Sequence, residues 1–370
     1  MRYRLLALAL SSAFLRVRAQ QTEQFSVATL NVDGLPQKFL FFNVNPDGPG
    51  SEGSARIAEY LKQKGYDLVF MQEDFNYHSD LSGKLENDYQ FGTWSGELDP
   101  SGEGVDFLHL QNHRYDCDGL MGCWKNGVHV DESKRTAWNE NFGKFSHCLD
   151  EIVTKGFRRY EVTLSSGSHV VVYNLHMDAE DHLDTRDGKG APDRAARKSQ
   201  WKQLYDDILE NIDYRPIVIV GDMNSLYARD EVKANFIDAI NASGKGTAGD
   251  VWVELENNGK YPESQEVEGE AIDKIIYINP TDGSKITPLR YNLDREGYAY
   301  EGKSLGDHYP VSATFEVEEN RKLGVETVLR DVKDSSSTEI YDLSGAQTKK
   351  PVSGIYIERR GKESRKQIVK

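Results

Sequence analysis

The feature that most narrows what this chain can become is an apolar run that stops on polar residues. Ile217-Val218-Ile219-Val220 ends in Gly221-Asp222-Met223-Asn224. A run of β-branched residues reads as a strand buried on both faces. Residues two apart on an extended chain share a side, so Asp222 and Asn224 leave the strand end together. That pairing suits a metal, a water and a phosphoryl oxygen. Gly, Asp and Asn are equally common in turns, so this stretch alone leaves a plain turn open.

Three more strand-like runs end in the same way. Gln24–Asn31 ends on Asn31, Asp67–Glu73 ends on Glu73, and His169–Asn174 leads into Leu175-His176-Met177-Asp178. Between the first two, Ser54 is a candidate N-cap for a helix with Ile57, Tyr60 and Leu61 on one face and Gly65 closing it. Before the Asp222 strand, the segment from Asp193 to Ile212 places Trp201, Leu204, Tyr205, Ile208, Leu209 and Ile212 at helical spacing. The chain therefore holds two strand–helix–strand units, each with its polar residues at one sheet edge. Two such sheets packed face to face bring the edges to one cleft. Further strands are expected at Phe157–Leu164, Ile272–Ile278 and up to Phe315, with a short helix around Ala234–Ala242.

Pooled, these ends carry a defined chemistry. Asn31, Glu73, Asp222, Asn224 and Asp307 supply the oxygen donors that Mg²⁺ or Mn²⁺ prefers. His308 follows Asp307 in a Gly-led turn, His176 sits at another strand end, and Asp273 is placed to orient His308 and raise its basicity. Each residue singly has a bland reading as a turn, surface or buried hydrogen-bonding group. Together the bland readings require polar residues at every equivalent strand end by coincidence. Metal, base and positioned phosphate together mean phosphoester hydrolysis.

The set Leu30-Asn31, Gln72-Glu73, Asn174-Leu175-His176, Gly221–Asn224, Ile272-Asp273 and Gly306-Asp307-His308 resembles the ordered motifs of the endonuclease/exonuclease/phosphatase superfamily. The resemblance spans residues 25–315. It implies a four-layered α/β/β/α sandwich of two packed mixed sheets and a divalent-metal phosphodiesterase or phosphatase. It further implies Glu73 as the main metal ligand with Asn31 and Asp307 nearby, and Asp222 aligning the attacking water. Asn224 and His176 would contact phosphoryl oxygens, and His308, held by Asp273, would be general base or acid.

Within that superfamily, Thr154-Lys155-Gly156-Phe157 and His176-Met177-Asp178-Ala179 are similar to segments of bacterial and neutral sphingomyelinases, which carry Asn where this chain has Thr154. That likeness implies a substrate-phosphate contact from Lys155 and a phospholipid headgroup at a membrane surface as the first substrate choice, while the Arg158-Arg159 pair could meet a nucleic-acid phosphate backbone. Nucleic acid is the second and a phosphomonoester the third; no obligate protein partner is evident.

Charge bears on that ranking. The chain carries −15 overall, and setting aside the four arginines of residues 1–19 and the net +5 of residues 320–370 leaves −24 on residues 20–319. A body that acidic is poorly suited to gripping a polyanion. Residues 1–19 read as a signal peptide, with Arg2 and Arg4 before the Leu5–Leu15 apolar run, so export to the surface or medium is expected. Residues 20–319 read as the catalytic domain. Residues 320–370 read as a small β-rich appendage resembling type IX sorting tails.

Three cysteines, Cys117, Cys123 and Cys148, leave a Cys117–Cys123 bridge open. The stretch from Asn76 to Phe157, with Trp94, Trp124 and Trp138, shows no clear period. Phe39–Phe42, just past Asn31, and those tryptophans offer either a bilayer-facing rim or packed core.

Overall fold

The computed structural model describes residues 23–39, 42–94, 110–111, 114–115, 117–132, 135–143, 150, 153–180, 190–230, 232–320, 338–342, 354–360 and 363–369. The expected leader, Leu40–Phe41 and Cys148 lie outside the described residues.

Two mixed sheets dominate. The first runs Lys285–Leu293, Val311–Glu318, Glu23–Asn31, Leu68–Gln72, Met121–Lys125, Tyr89–Phe91 in spatial order. The second runs Thr136–Ala137, Gly156–Thr163, His169–His176, Ile217–Asp222, Asp273–Pro280, Gly246–Asp250, with His129–Glu132 beside Gly156–Thr163. Each sheet holds one parallel pair. Glu23–Asn31 pairs with Leu68–Gln72, register Asn31 to Gln72, and His169–His176 pairs with Ile217–Asp222, register His176 to Asp222. Parallel neighbours need a crossover, supplied by the helices Gly50–Lys64 and Ala191–Asn211. Both strand–helix–strand units are thus present, with their polar ends level.

Period-two alternation sorts the side chains into layers. Val218 and Val220 face Phe70, Tyr160 and Val172 between the sheets, whereas Ile217 and Ile219 face Trp201, Leu204 and Ile208 of the long helix. On the other sheet Val27 and Phe25 point inward, while Ala28 and Leu30 meet Ile57 and Leu61. The result is an α/β/β/α sandwich. Each fully buried aliphatic side chain contributes about 1.5–3 kcal/mol. A polar tie also crosses between the sheets: Gln72 Nε2 donates to Asn174 Oδ1 at 2.7 Å, and Asn174 Nδ2 donates to the Met71 carbonyl at 3.1 Å. It lies one residue before Glu73 and two before His176.

Local departures from expectation have physical causes. The first helix begins at Gly50, one turn before the expected cap, where glycine accepts the left-handed φ of 60° at the entry; Ser54 is buried inside it. Gly65 closes it at φ 63, as expected. The irregular stretch contains the helix His78–Leu85 and the short strands Tyr89–Phe91 and Met121–Lys125, which extend the first sheet. Trp124 and Trp138 are core residues, 5% and 2% exposed, and offer nothing to a membrane. Cys123 is a free buried thiol in the cluster under the first helix, whereas Cys117 packs with Phe75 in a separate cluster, so the bridge between them does not form. Thr338–Asp342, Gly354–Arg360 and Glu363–Val369 make a separate three-stranded antiparallel sheet.

Candidate active site

The two parallel pairs end at the same cleft, and one side chain joins them. Asn31, last residue of its strand and 2% exposed, donates its amide to Glu73 Oε1 at 2.9 Å and to Asp222 Oδ2 at 3.1 Å. Carboxylates from both sheets therefore meet at one amide. His176 Nε2 stands 3.3 Å from Asp222 Oδ2 and 3.8 Å from Glu73 Oε1, and its buried Nδ1 has no hydrogen-bond partner among the described residues.

Backbone strain collects here. Asp33, Glu73 and Asn224 have φ of 49°, 56° and 46°, the left-handed region that costs a non-Gly residue about 1–3 kcal/mol. Local bonds hold two of them. The Asp33 amide donates to Asn31 Oδ1 at 3.0 Å, and the Asn224 amide donates to Asp222 Oδ1 at 3.0 Å. Gly221 is required by its neighbour: at φ 145° a Cβ would sit 2.0 Å from the Leu175 carbonyl oxygen.

The second half of the site is an imidazole held by a carboxylate. His308 Nδ1 lies 2.7 Å from Asp273 Oδ2, leaving Nε2 3.7 Å from Asp222 Oδ2. The Asp273 carboxylate accepts from Nδ1–H, an assignment made from this geometry. Asp273 is opposite Asp222 in the strand register, which explains their proximity. Burial by itself lowers the His308 pKa, but the charges of Asp273 and Asp222 and the hydrogen bond to Asp273 outweigh it and hold the imidazolium well above its ordinary range. Burial by itself raises the Asp222 carboxyl, yet the charges of His308 and His176 prevail and hold it far below the ordinary carboxylate range. The two shifts run in opposite directions and favour an ionised Asp222 beside a protonated His308.

An acidic wall completes the cleft. Burial, followed by the charges of Asp307 and Glu73, pushes the Asp33 carboxyl up to about 7. Asp307 is likewise raised, first by burial, with Glu73 and Asp222 adding to it and His308 opposing. In the sequence Asp33 opens the turn-like Asp33-Gly34-Leu35-Pro36. Its signal in the sequence is its place two residues past Asn31, the spacing that joins Asp222 to Asn224.

Glu73, His176 and Asp222 offer ligand atoms all within 4.8 Å of one another, and so do Asp222, Asp273 and His308. Of the expected trio, Asn31 bonds Glu73 directly, and Asp307 stands in the acidic wall close enough to feel the Glu73 charge. The donor chemistry fits a hard divalent cation: Glu73 and Asp307 lie close enough for their charges to raise the Asp33 carboxyl, and Glu73 and Asp222 likewise raise Asp307.

The two expected substrate contacts fare differently. Lys155 is 5% exposed, paired with Asp150, and close enough to Glu73 and Asp222 to feel both charges. Gly156 next to it is demanded by strand pairing, since a Cβ would lie 2.0 Å from the Thr136 carbonyl oxygen. Arg158 does not join the site. Its guanidinium is 3% exposed and consumed by Asp118, at 2.6 and 2.8 Å, and by Glu132 at 2.6 Å. It points away because residue 158 faces the insertion, where Asp118 lies.

A carboxylate cage beside a carboxylate-held imidazole is the equipment of metal-assisted phosphoester hydrolysis. The model of the endonuclease/exonuclease/phosphatase family matches residues 28–236. The chain belongs to this family, and it is an enzyme that hydrolyses phosphoric esters. Among solved structures, a humanized D. rerio TDP2 is 18% identical with a TM-score of 0.51, covering 79% of this chain and 98% of that one. D. rerio TDP2 complexed with a single-strand DNA product is 18% identical with a TM-score of 0.50, covering 79% and 98%. The endonuclease/exonuclease/phosphatase from Bacteroides vulgatus is 15% identical with a TM-score of 0.52, covering 80% and 100%. At such identity the likeness shows the fold. No curated protein sequence shows significant similarity to the chain.

Proposed function

We propose that the protein is an exported, divalent-metal-dependent phosphodiesterase that hydrolyses a phospholipid headgroup of the sphingomyelin type. The observation that carries the phosphodiester chemistry is the meeting of both sheets at Asp222, within reach of Asn31, His176 and His308. The lipid preference rests on the acidic body and on the sphingomyelinase-like segments around Lys155 and His176. The arginine-led apolar run of residues 1–19 supports export, and the basic β-rich tail supports a sorting role.

Glu73 and Asp222, with Asn31 and His176 beside them, would hold the cation. When bound, Mg²⁺ or Mn²⁺ supplies positive charge that stabilises the phosphoryl oxygens in the transition state. Asp222, held ionised, orients the attacking water in line with the leaving oxygen, and the water's proton passes by way of Asp222 to solvent as the new phosphorus–oxygen bond forms. His308, held protonated by Asp273, donates to the leaving oxygen as the phosphorus–oxygen bond breaks. His176 and Asn224 steady the non-bridging oxygens. Lys155 and the acidic wall set the field around them.

The test is purified protein with Mg²⁺ against sphingomyelin vesicles and supercoiled plasmid in parallel. Phosphocholine release that stops with chelator and with Glu73→Ala is the expected result. Nicked plasmid with intact lipid would overturn the lipid assignment. That outcome would favour the second reading, a nucleic-acid phosphodiester, which draws support from the DNA product held by the similarly folded TDP2.

A further inference from the structure

The segment just past the His176 strand is held, group by group, by side chains from elsewhere. The His176 carbonyl accepts from Trp138 Nε1 at 2.7 Å, and the Met177 carbonyl accepts from Lys155 Nζ at 3.4 Å. The Asp178 amide donates to Gln200 Oε1 at 3.0 Å, and the Ala179 amide donates to Asp150 Oδ2 at 2.7 Å. Backbone that has left a sheet must find partners when buried. Here three of the four come from residues 138–155, the end of the insertion.

Two of those partners are an ion pair. Asp150 and Lys155 are 0% and 5% exposed and bonded to each other. They grip the segment at both ends, Lys155 on the Met177 carbonyl and Asp150 on the Ala179 amide. The Met177 carbonyl is also the acceptor for Asn224 Nδ2 at 3.2 Å, and the Met177 amide donates to the Asp222 carbonyl at 2.9 Å. A shift of Met177 therefore moves His176, Asn224 and Asp222 together.

We propose that the Asp150–Lys155 pair is a positioning clamp for His176 and Asn224, in place of the direct phosphate contact expected of Lys155. The pair acts through the Met177–Ala179 backbone and touches no reacting atom. This rests on the phosphodiesterase reading for its catalytic consequence. Its structural half stands alone. The clamp also gives the end of the insertion a role: Asp150 and Lys155 follow Trp138 and immediately precede the strand that starts at Gly156, so the insertion closes on the His176 strand end just before the chain re-enters the sheet.

Lys155→Met alone strands a buried Asp150 carboxylate and risks misfolding, so the informative variant is Asp150→Asn with Lys155→Met. It removes both charges and keeps the shapes. Two measurements follow on protein verified as folded by its thermal transition. First, the ¹³Cε1 resonance of His176, assigned by its loss in His176→Asn, is compared in metal-free wild type and double variant; a shift is expected. Second, turnover of bis(p-nitrophenyl) phosphate with Mg²⁺ is measured. Misplacement by about 1 Å costs about 100-fold, so kcat falls by about that factor while KM stays within about threefold.

An unmoved His176 resonance overturns the clamp. So does a raised KM with kcat retained, which would mean that Lys155 grips the phosphate itself. If wild type hydrolyses no phosphodiester, the functional reading fails and the resonance alone decides the clamp.

Discussion

Asp273→Asn tests the acid–base half of the site with little disturbance of packing. Asp273 is 4% exposed and its Oδ2 lies 2.7 Å from His308 Nδ1, so the isosteric amide fills the same space and opens no cavity. What disappears is the largest of the charges that hold the imidazolium against burial, together with its hydrogen bond, while Asp222 and Asp307 remain. A positioned general acid contributes about 10²–10⁴-fold, equivalent to about 2.7–5.4 kcal/mol in the barrier. The variant is expected to lose that range in kcat.

The sign of the pH effect follows from the raised His308 pKa. The proton is present below the folded value and lost as pH rises through it. Removing Asp273 lowers that value, so the basic limb of the kcat profile moves to lower pH. The assay is kcat on bis(p-nitrophenyl) phosphate from pH 5 to 10 for both proteins, with melting temperature as the control for folding. A kcat within threefold of wild type, or a basic limb that does not move, would refute the assignment of His308 as an acid held by Asp273.

Two other perturbations probe regions outside the site. Arg158→Ala leaves the buried Asp118 carboxylate without its bidentate partner and is expected to destabilise by about 3–5 kcal/mol, read from urea midpoints, with KM of the folded enzyme retained; a large rise in KM would return Arg158 to the substrate. Glu161 is held at about 2, against an ordinary 4.5, first by its hydrogen bond from Arg215 and then from Arg159, with burial opposing. A depressed folded value gives stability that is present above 4.5 and lost as pH falls towards 2. Glu161→Gln should therefore lower the melting temperature at pH 6 and match wild type by pH 2; an equal gap at both pH values would contradict the linkage.

Much of this was readable from sequence because polar residues interrupt apolar runs where strands leave the core. Asn31, Glu73, His176 and Asp222 stand at such interruptions, and the parallel register of the two pairs makes their ends level. Asp273 and His308 were legible as a pair for a different reason: an Asp at the head of an apolar strand needs a partner. Asp33 was hidden because Asp-Gly-Leu-Pro is ordinary turn chemistry, and only the fold shows that the turn folds back on Glu73. Arg158 misled because strand alternation assigns a side without saying what waits there; the partner, Asp118, comes from an insertion whose elements are too short to show periodicity. Trp124 and Trp138 were ambiguous for the same reason, since burial of an indole depends on neighbours distant in sequence.

The order of strands in the first sheet has a consequence for when activity can begin. Val311–Glu318 lies between Lys285–Leu293 and Glu23–Asn31, so nearly the last strand of the sandwich is the direct neighbour of its first. His308 reaches the cleft only as that late strand docks beside the early one. A nascent chain can carry Asn31, Glu73 and Asp222 for most of its synthesis and still lack the imidazole. On the proposed mechanism the hydrolase gains its acid only when the first and last strands of this sheet have met, so a fragment ending before residue 308 is expected to lack that contribution to turnover.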